Sequence, residues 1–235
     1  MRKDALAVGE VYHIYNKSIA KYRIFNNDPE YIRMMSVIRY YQGGKPAVKF
    51  SDFIRSAMVK KENYPNIKIS VPEPKKIVEI LAYCLMPTHL HLILKQLKEK
   101  GISVFMNHIQ NSYTRYFNTK HRRRGPLWEY HFDNRLIRTD NDLLGMTRYL
   151  HLNPATARIV KKPKQWPWSS YKEYLRENGD NENICKFADI IDIKPNSYRE
   201  FVEDRIAHQR ELARLKDLLI DDELQPFPTG AVGNG

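Results

Sequence analysis

Apolar and polar positions alternate through Tyr12-His13-Ile14-Tyr15-Asn16 and predict a short strand. Asp28-Pro29-Glu30 then opens a helix, with proline at an early helical position and Tyr31, Met34, Met35 and Ile38 as its apolar stripe. Lys76 to Leu85 is rich in Ile, Val, Leu and Tyr and predicts a second strand, which Met86-Pro87-Thr88 breaks. His89 to Lys95 resumes as a third strand, so the pair reads as a hairpin. Ile102, Phe105, Met106, Ile109, Tyr113, Tyr116 and Phe117 fall on one face of a helix. A fourth strand follows around Arg135-Leu136-Ile137. Thr139 and Asp142 mark the start of another helix, and Pro154 predicts its end near Asn153.

The resulting order, β-α-β-β-α-β-α, predicts an α+β fold. Its first six elements match the ferredoxin-like (RRM-like) antiparallel sheet with packed helices, and the last helix is expected beside that sheet. Gly43 to Pro74 reads as an excursion from the core, with a short helix at Ser51 to Lys61. After the fourth strand's helix come the basic stretch Lys161-Lys162-Pro163-Lys164, the Trp166-Pro167-Trp168 turn, and a short helix around Ser170 to Leu175. The expected organisation is one domain over residues 1–178, with 43–75 as an insertion or excursion. A helical extension then covers 179–224, with a charged helix at 197–219, and 225–235 forms a disordered tail.

Composition narrows the function classes. The chain has 235 residues, with 39 Lys and Arg against 27 Asp and Glu, for a formal net charge of +12. That excess favours polyanionic partners, above all nucleic acid. No apolar run approaches the roughly 20 residues a membrane span needs, and no secretory signal is expected at the N-terminus. Cys84 lies inside an apolar run and reads as a buried thiol, consistent with a reducing, cytoplasmic address.

Two short segments carry candidate chemistry. In His89-Leu90-His91 the imidazoles share one strand face, opposite Leu90, Leu92 and Leu94. Such a pair can grip a metal ion, or can be the wet side of a half-buried strand. In Tyr149-Leu150-His151-Leu152-Asn153-Pro154, Tyr149 and Asn153 stack on one helix face beside the stripe of Leu143, Met146 and Leu150. The phenol can reach an active site and the amide a metal, or Tyr149 packs in the core and Asn153 caps the helix. His151, two residues from Tyr149, is turned away from it.

Together these segments resemble the single-tyrosine HUH transposases, and among them the REP-associated tyrosine transposases. The matching segments are Tyr12-His13-Ile14-Tyr15-Asn16-Lys17, Met86-Pro87-Thr88-His89-Leu90-His91-Leu92-Ile93, Gly125-Pro126-Leu127-Trp128-Glu129, Tyr149-Leu150-His151-Leu152-Asn153-Pro154 and Trp166-Pro167-Trp168-Ser169-Ser170-Tyr171. They occur in the family's order over roughly residues 8 to 176. The 43–74 stretch is longer than expected of the family's compact members, and residues beyond about 180 lie outside the resemblance.

The resemblance implies HUH endonuclease architecture, with His89 and His91 as paired metal ligands, Asn153 as the third ligand and Tyr149 as the nucleophile. Mg²⁺ or Mn²⁺ suits two imidazoles, an amide oxygen and open sites for phosphate and water. The implied reaction is cleavage and rejoining of single-stranded DNA at hairpin or palindromic elements through a 5′-phosphotyrosine, by a monomer or homodimer. Tyr113 and Tyr116 are rival nucleophiles, but their places in an apolar stripe mark them as core aromatics.

For DNA contact the candidates are the cluster Lys120, Arg122, Arg123 and Arg124, a second cluster of Lys161, Lys162 and Lys164, and Trp128, Tyr130 and His131 as stacking groups. The alternatives are another HUH nuclease (a replication initiator or relaxase), a decayed transposase that binds without cutting, and a non-catalytic single-strand binder. A G-x-x-x-x-G-K-[ST] phosphate loop of a helicase partner domain is absent from the sequence.

Overall fold

The computed structural model describes residues 4–44, 46–63, 75–129, 131–177, 183–188, 190–191 and 194–208, with the backbone alone for 58–63. The elements are β1 (Val11–Lys17), α1 (Asp28–Tyr41), α2 (Phe50–Asn63), β2 (Val78–Met86), β3 (His89–Gln96), α3 (Gly101–Lys120), β4 (Asp133–Ile137), α4 (Asp140–Thr156), α5 (Tyr171–Tyr174) and α6 (Pro195–Glu203). Short 3₁₀ turns stand at Ile19–Lys21 and Pro163–Gln165. The strands form one sheet in the order β2-β3-β1-β4, and every neighbouring pair is antiparallel. This is the ferredoxin-like arrangement that the element order predicts.

Local chemistry explains the borders. Pro29 sits in the first turn of α1 with Asp28 and Glu30, where a missing N–H costs nothing and negative charge suits the helix dipole. Thr139 Oγ1 accepts from the Asp142 amide and caps α4. At Gly101 an added Cβ would lie 2.3 Å from the Ile77 carbonyl oxygen, so only glycine lets α3 start this close to the strand leading into β2.

The sheet is covered on both faces. Leu90, Leu92 and Leu94 join Tyr12, Ile14 and Ile80 against α1 and α3, which contribute Met34, Ile38, Phe105, Ile109, Tyr113 and Phe117. Ile93, Cys84 and Met86 face the other way, onto Leu143, Leu150 and Leu152 of α4 and onto Tyr171, Tyr174, Tyr198 and Val202. The last helix of the predicted series therefore lies across the second face rather than beside the sheet. His89 and His91 share that face by strand alternation, and at 1% exposure each they do not form a wet side.

The structure corrects further expectations. α4 continues through Pro154 to Thr156, because the last turn is buried and tertiary packing outweighs the lost hydrogen bond. Pro154 O in turn accepts from the Ile159 and Val160 amides and closes the chain after the helix. The C-terminal helix spans Pro195–Glu203 instead of starting at 197, and residues 206–208 add a further turn. Tyr198 and Val202 of α6 are fully buried in the second core, so this segment is packed onto the sheet domain. Phe50 brings the start of α2 into the first core. The 225–235 tail, the rest of the 197–219 helix and residues 64–74 lie outside the described residues. Both cysteines are buried thiols.

His151 holds these pieces together. Its ring hydrogen-bonds Tyr198 Oη through Nδ1 at 2.7 Å and Ser170 Oγ through Nε2 at 2.8 Å. One buried imidazole thus ties α4 to α6 and to the turn before α5. His151→Ala should destabilise the fold by about 3 kcal/mol, from the buried cavity and the two lost hydrogen bonds to Tyr198 and Ser170. Urea denaturation checks this, and a loss under about 1 kcal/mol would contradict the tie.

Candidate active site

The site forms where α4 crosses the second sheet face. Pairing places Tyr15 and Cys84 on either side of His91, and Lys17 and Met86 on either side of His89. Tyr149 reaches this surface from α4, with its ring centroid 5.9 Å from that of His91 and 6.1 Å from that of His13, edge-on to both. The His89 and His91 rings stand perpendicular, with centroids 4.9 Å apart. Asn153 lies one helical turn beyond Tyr149 and is buried. Tyr149 and the strand histidines therefore meet on one face.

Two residues at this site were not anticipated. His13 approaches His91 with Nε2 2.9 Å from Nδ1, in hydrogen-bond contact, and stacks on it. Tyr15 stacks on His13 and lies 5.8 Å from His91. The signal was available: His13 and Tyr15 alternate on β1, and the ferredoxin-like order makes β1 the neighbour of β3. Burial, then Asp133 beside it, raises the Tyr15 pKa, which makes its phenolate less accessible.

The histidines are held neutral. Burial, with Arg135 adding to it, lowers His13 to about 4. Burial and Lys17 lower His89 to about 3, and burial followed by the charges of His89, His13 and Lys17 drives His91 well below its usual value. Neutral imidazoles keep a lone pair, which a metal ion requires. His91 Nε2 is buried without a hydrogen-bond partner among the described residues, while its Nδ1 is engaged by His13. His89 Nδ1 is engaged by Thr88 Oγ1 at 2.9 Å. Among the described residues no three His, Cys, Asp or Glu side chains form a metal cage. An ion here would draw on the two imidazoles and the Asn153 amide, and the buried, unbonded Nε2 of His91 fits such a ligand.

The rival tyrosines sit elsewhere. Tyr113 is fully buried on the α1–α3 side and donates to the Ile24 carbonyl. Tyr116 packs partly buried against the same core. His151 points away from Tyr149 into its tie with α6, as its offset predicts.

The predicted DNA-contact residues divide. Arg122 and Arg124 are exposed. Arg123 folds back to donate to Asn118 and to the carbonyls of Gly125 and Pro126, and Lys120 Nζ pairs with Glu30 at 2.7 Å. Trp128 is 7% exposed and packs in the first core, so its ring is not offered to a base. Lys161 and Lys162 are exposed, and Lys164 pairs with Glu177. His131 is exposed, and Tyr130 lies outside the described residues. Arg135 and Arg138, which the sequence reading passed over, line a cavity of about 460 Å³ between β4 and α4.

Comparison with known proteins bears on family and fold. Residues 54–140 match the family model described as "Transposase IS200 like", a span that includes the histidine pair and stops short of Tyr149. A Haemophilus influenzae protein described as a REP-associated tyrosine transposase is 30% identical over 129 residues, covering 48% of this chain and 73% of that protein. The chain belongs to the REP-associated tyrosine transposases. A solved REP-associated tyrosine transposase bound to a REP hairpin shares the fold, with a TM-score of 0.52 and 15% identity over 82% of this chain and 98% of the other. Among the described residues of this family member no helix is long and apolar enough to cross a membrane.

The buried histidines set a pH dependence. His13, His89 and His151 have folded pKa values of about 4, 3 and 3 against 6.5 when unfolded. Between those limits the unfolded chain binds more protons, so their contribution is complete above about pH 6.5 and is lost as pH falls. The urea midpoint should therefore be lower at about pH 5 than at about pH 7.5, with net proton uptake on unfolding. An equal or higher midpoint at the lower pH would contradict the assignment.

Proposed function

We propose that this transposase cleaves and rejoins single-stranded DNA at hairpin elements through a covalent 5′-phosphotyrosine on Tyr149, with Mg²⁺ or Mn²⁺ held by His89, His91 and Asn153. The observation that carries the reading is the Tyr149 ring set edge-on to His91, from a helix laid over the histidine-bearing sheet face. The REP hairpin bound by the structural relative supports a hairpin substrate.

The bound ion would supply charge neutralisation at the scissile phosphate. The protein's own groups do the rest. His89 and His91 offer neutral imidazoles from a rigid strand, and Asn153 offers an uncharged oxygen. Tyr149 Oη attacks phosphorus and displaces the 3′ oxygen. The P–O3′ bond breaks, a P–O bond to tyrosine forms, and the phenolic proton is balanced by the proton gained at the new 3′-OH. Because one phosphodiester-type bond replaces another, a 3′-OH from another strand can reverse the step without ATP. Lys17 and Arg135, whose charges act on the buried imidazoles, add positive potential for the incoming phosphate. Arg122, Arg124, Lys161 and Lys162 are proposed to contact backbone phosphates.

Incubation with a labelled hairpin oligonucleotide and Mg²⁺ should give an SDS-stable adduct. Tyr149→Phe should abolish it while sparing binding, whereas Tyr15→Phe should retain it. His89→Ala, His91→Ala or EDTA should each lower its yield by more than about 100-fold. An adduct on the Tyr149→Phe variant would overturn the nucleophile, and full yield in EDTA would overturn the metal.

A further inference from the structure

A second concave surface lies in the helix layer on the other side of the sheet. It is a cleft of about 570 Å³ between α1, the start of α2 and α3. Arg33, Lys49, Arg55, Arg115 and Lys120 line it, with Asp52 as the one carboxylate among the described residues of its wall. Asp52 is 3.7 Å from Arg55, and Lys120 is held by Glu30. Arg33, Lys49 and Arg115 have no carboxylate partner among the described residues.

Arg33 is held in place. Its guanidinium carbon sits 4.4 Å from the centre of the Phe50 ring and 5.0 Å from that of Tyr116. Its Nε is buried without a hydrogen-bond partner among the described residues. Burial lowers its pKa, since the charged form has lost water without gaining a counter-ion. A guanidinium clamped between two rings keeps its planar donor fork pre-organised for an oxyanion. With Lys49 and Arg115 exposed at the same cleft, the arrangement suits successive phosphates better than a single anion.

We propose that this cleft is a second nucleic-acid site, which takes the phosphodiester backbone of DNA flanking the hairpin engaged at the histidine face. The inference rests on the reading of the substrate as DNA. It also gives a role to the start of α2, whose Phe50 pins Arg33.

The test compares binding of two fluorescent oligonucleotides by the full chain, a minimal hairpin and the same hairpin with a long single-stranded flank, across a salt series. Wild type should bind the flanked DNA with the steeper salt dependence. Lys49→Gln with Arg115→Gln, both at exposed positions, should reduce the log K against log [salt] slope on flanked DNA by about 1.4, at about 0.7 per lost single-strand phosphate contact. Arg33→Gln should reduce it by about a further 0.7. The minimal hairpin should bind all variants alike, and adduct yield on it should not change. Unchanged slopes on flanked DNA, or equal losses on both oligonucleotides, would overturn the second site. An absent wild-type adduct with the slope changes intact would instead count against Tyr149 chemistry and leave the cleft standing.

Discussion

The site depends on α4 lying across the second face of the sheet. Without that helix, the histidines of β3 would face water, titrate near neutrality and present no fixed partner. With it, burial keeps three neighbouring imidazoles uncharged, and the phenol of Tyr149 arrives at the edge of two of them. The helix is in turn held from behind. His151 turns away from the site and bonds both Tyr198 of α6 and Ser170. Helix α6 thus supports the site by fixing the helix that carries Tyr149 and Asn153.

Charge is divided between the two sides of the molecule. Lys17 and Arg135 act on the histidine face. The densest sequence cluster, at residues 120–124, is partly used inside the fold: Lys120 offsets the fully buried carboxylate of Glu30, and Arg123 closes its own loop. Sequence density alone therefore overstates what that cluster offers to DNA. The cations without carboxylate partners among the described residues at the α1–α3 cleft are scattered along the chain at 33, 49 and 115, and only folding brings them together.

Much of the architecture was legible because it rests on short periods. The alternation in β3 separated Leu90, Leu92 and Leu94 from His89 and His91, and the stripe of α3 placed Tyr113 in the core. The four-residue spacing of Tyr149 and Asn153 put both on one face of α4. What stayed hidden needed contacts between distant segments. The parity of β1 puts His13 and Tyr15 on one face and the predicted order puts β1 beside β3, but the register that sets Tyr15 against His91 comes only with the fold. Pro154 marks a helix end by local rules, yet burial of Pro154, Ala155 and Thr156 carries the helix past it. Trp128 reads from sequence as either a stacking ring or a core anchor, because nothing local distinguishes an exposed ring from one packed in the core.

The central claim is that two imidazoles of one strand bind a single divalent ion beside Tyr149. Pulsed electron paramagnetic resonance of Mn²⁺ added to the full chain tests it most directly. The account predicts nitrogen couplings from two directly bound imidazoles, with one lost in His89→Ala and one in His91→Ala. Mn²⁺ that shows no directly bound nitrogen in the wild-type protein, or couplings that survive both substitutions, would contradict it.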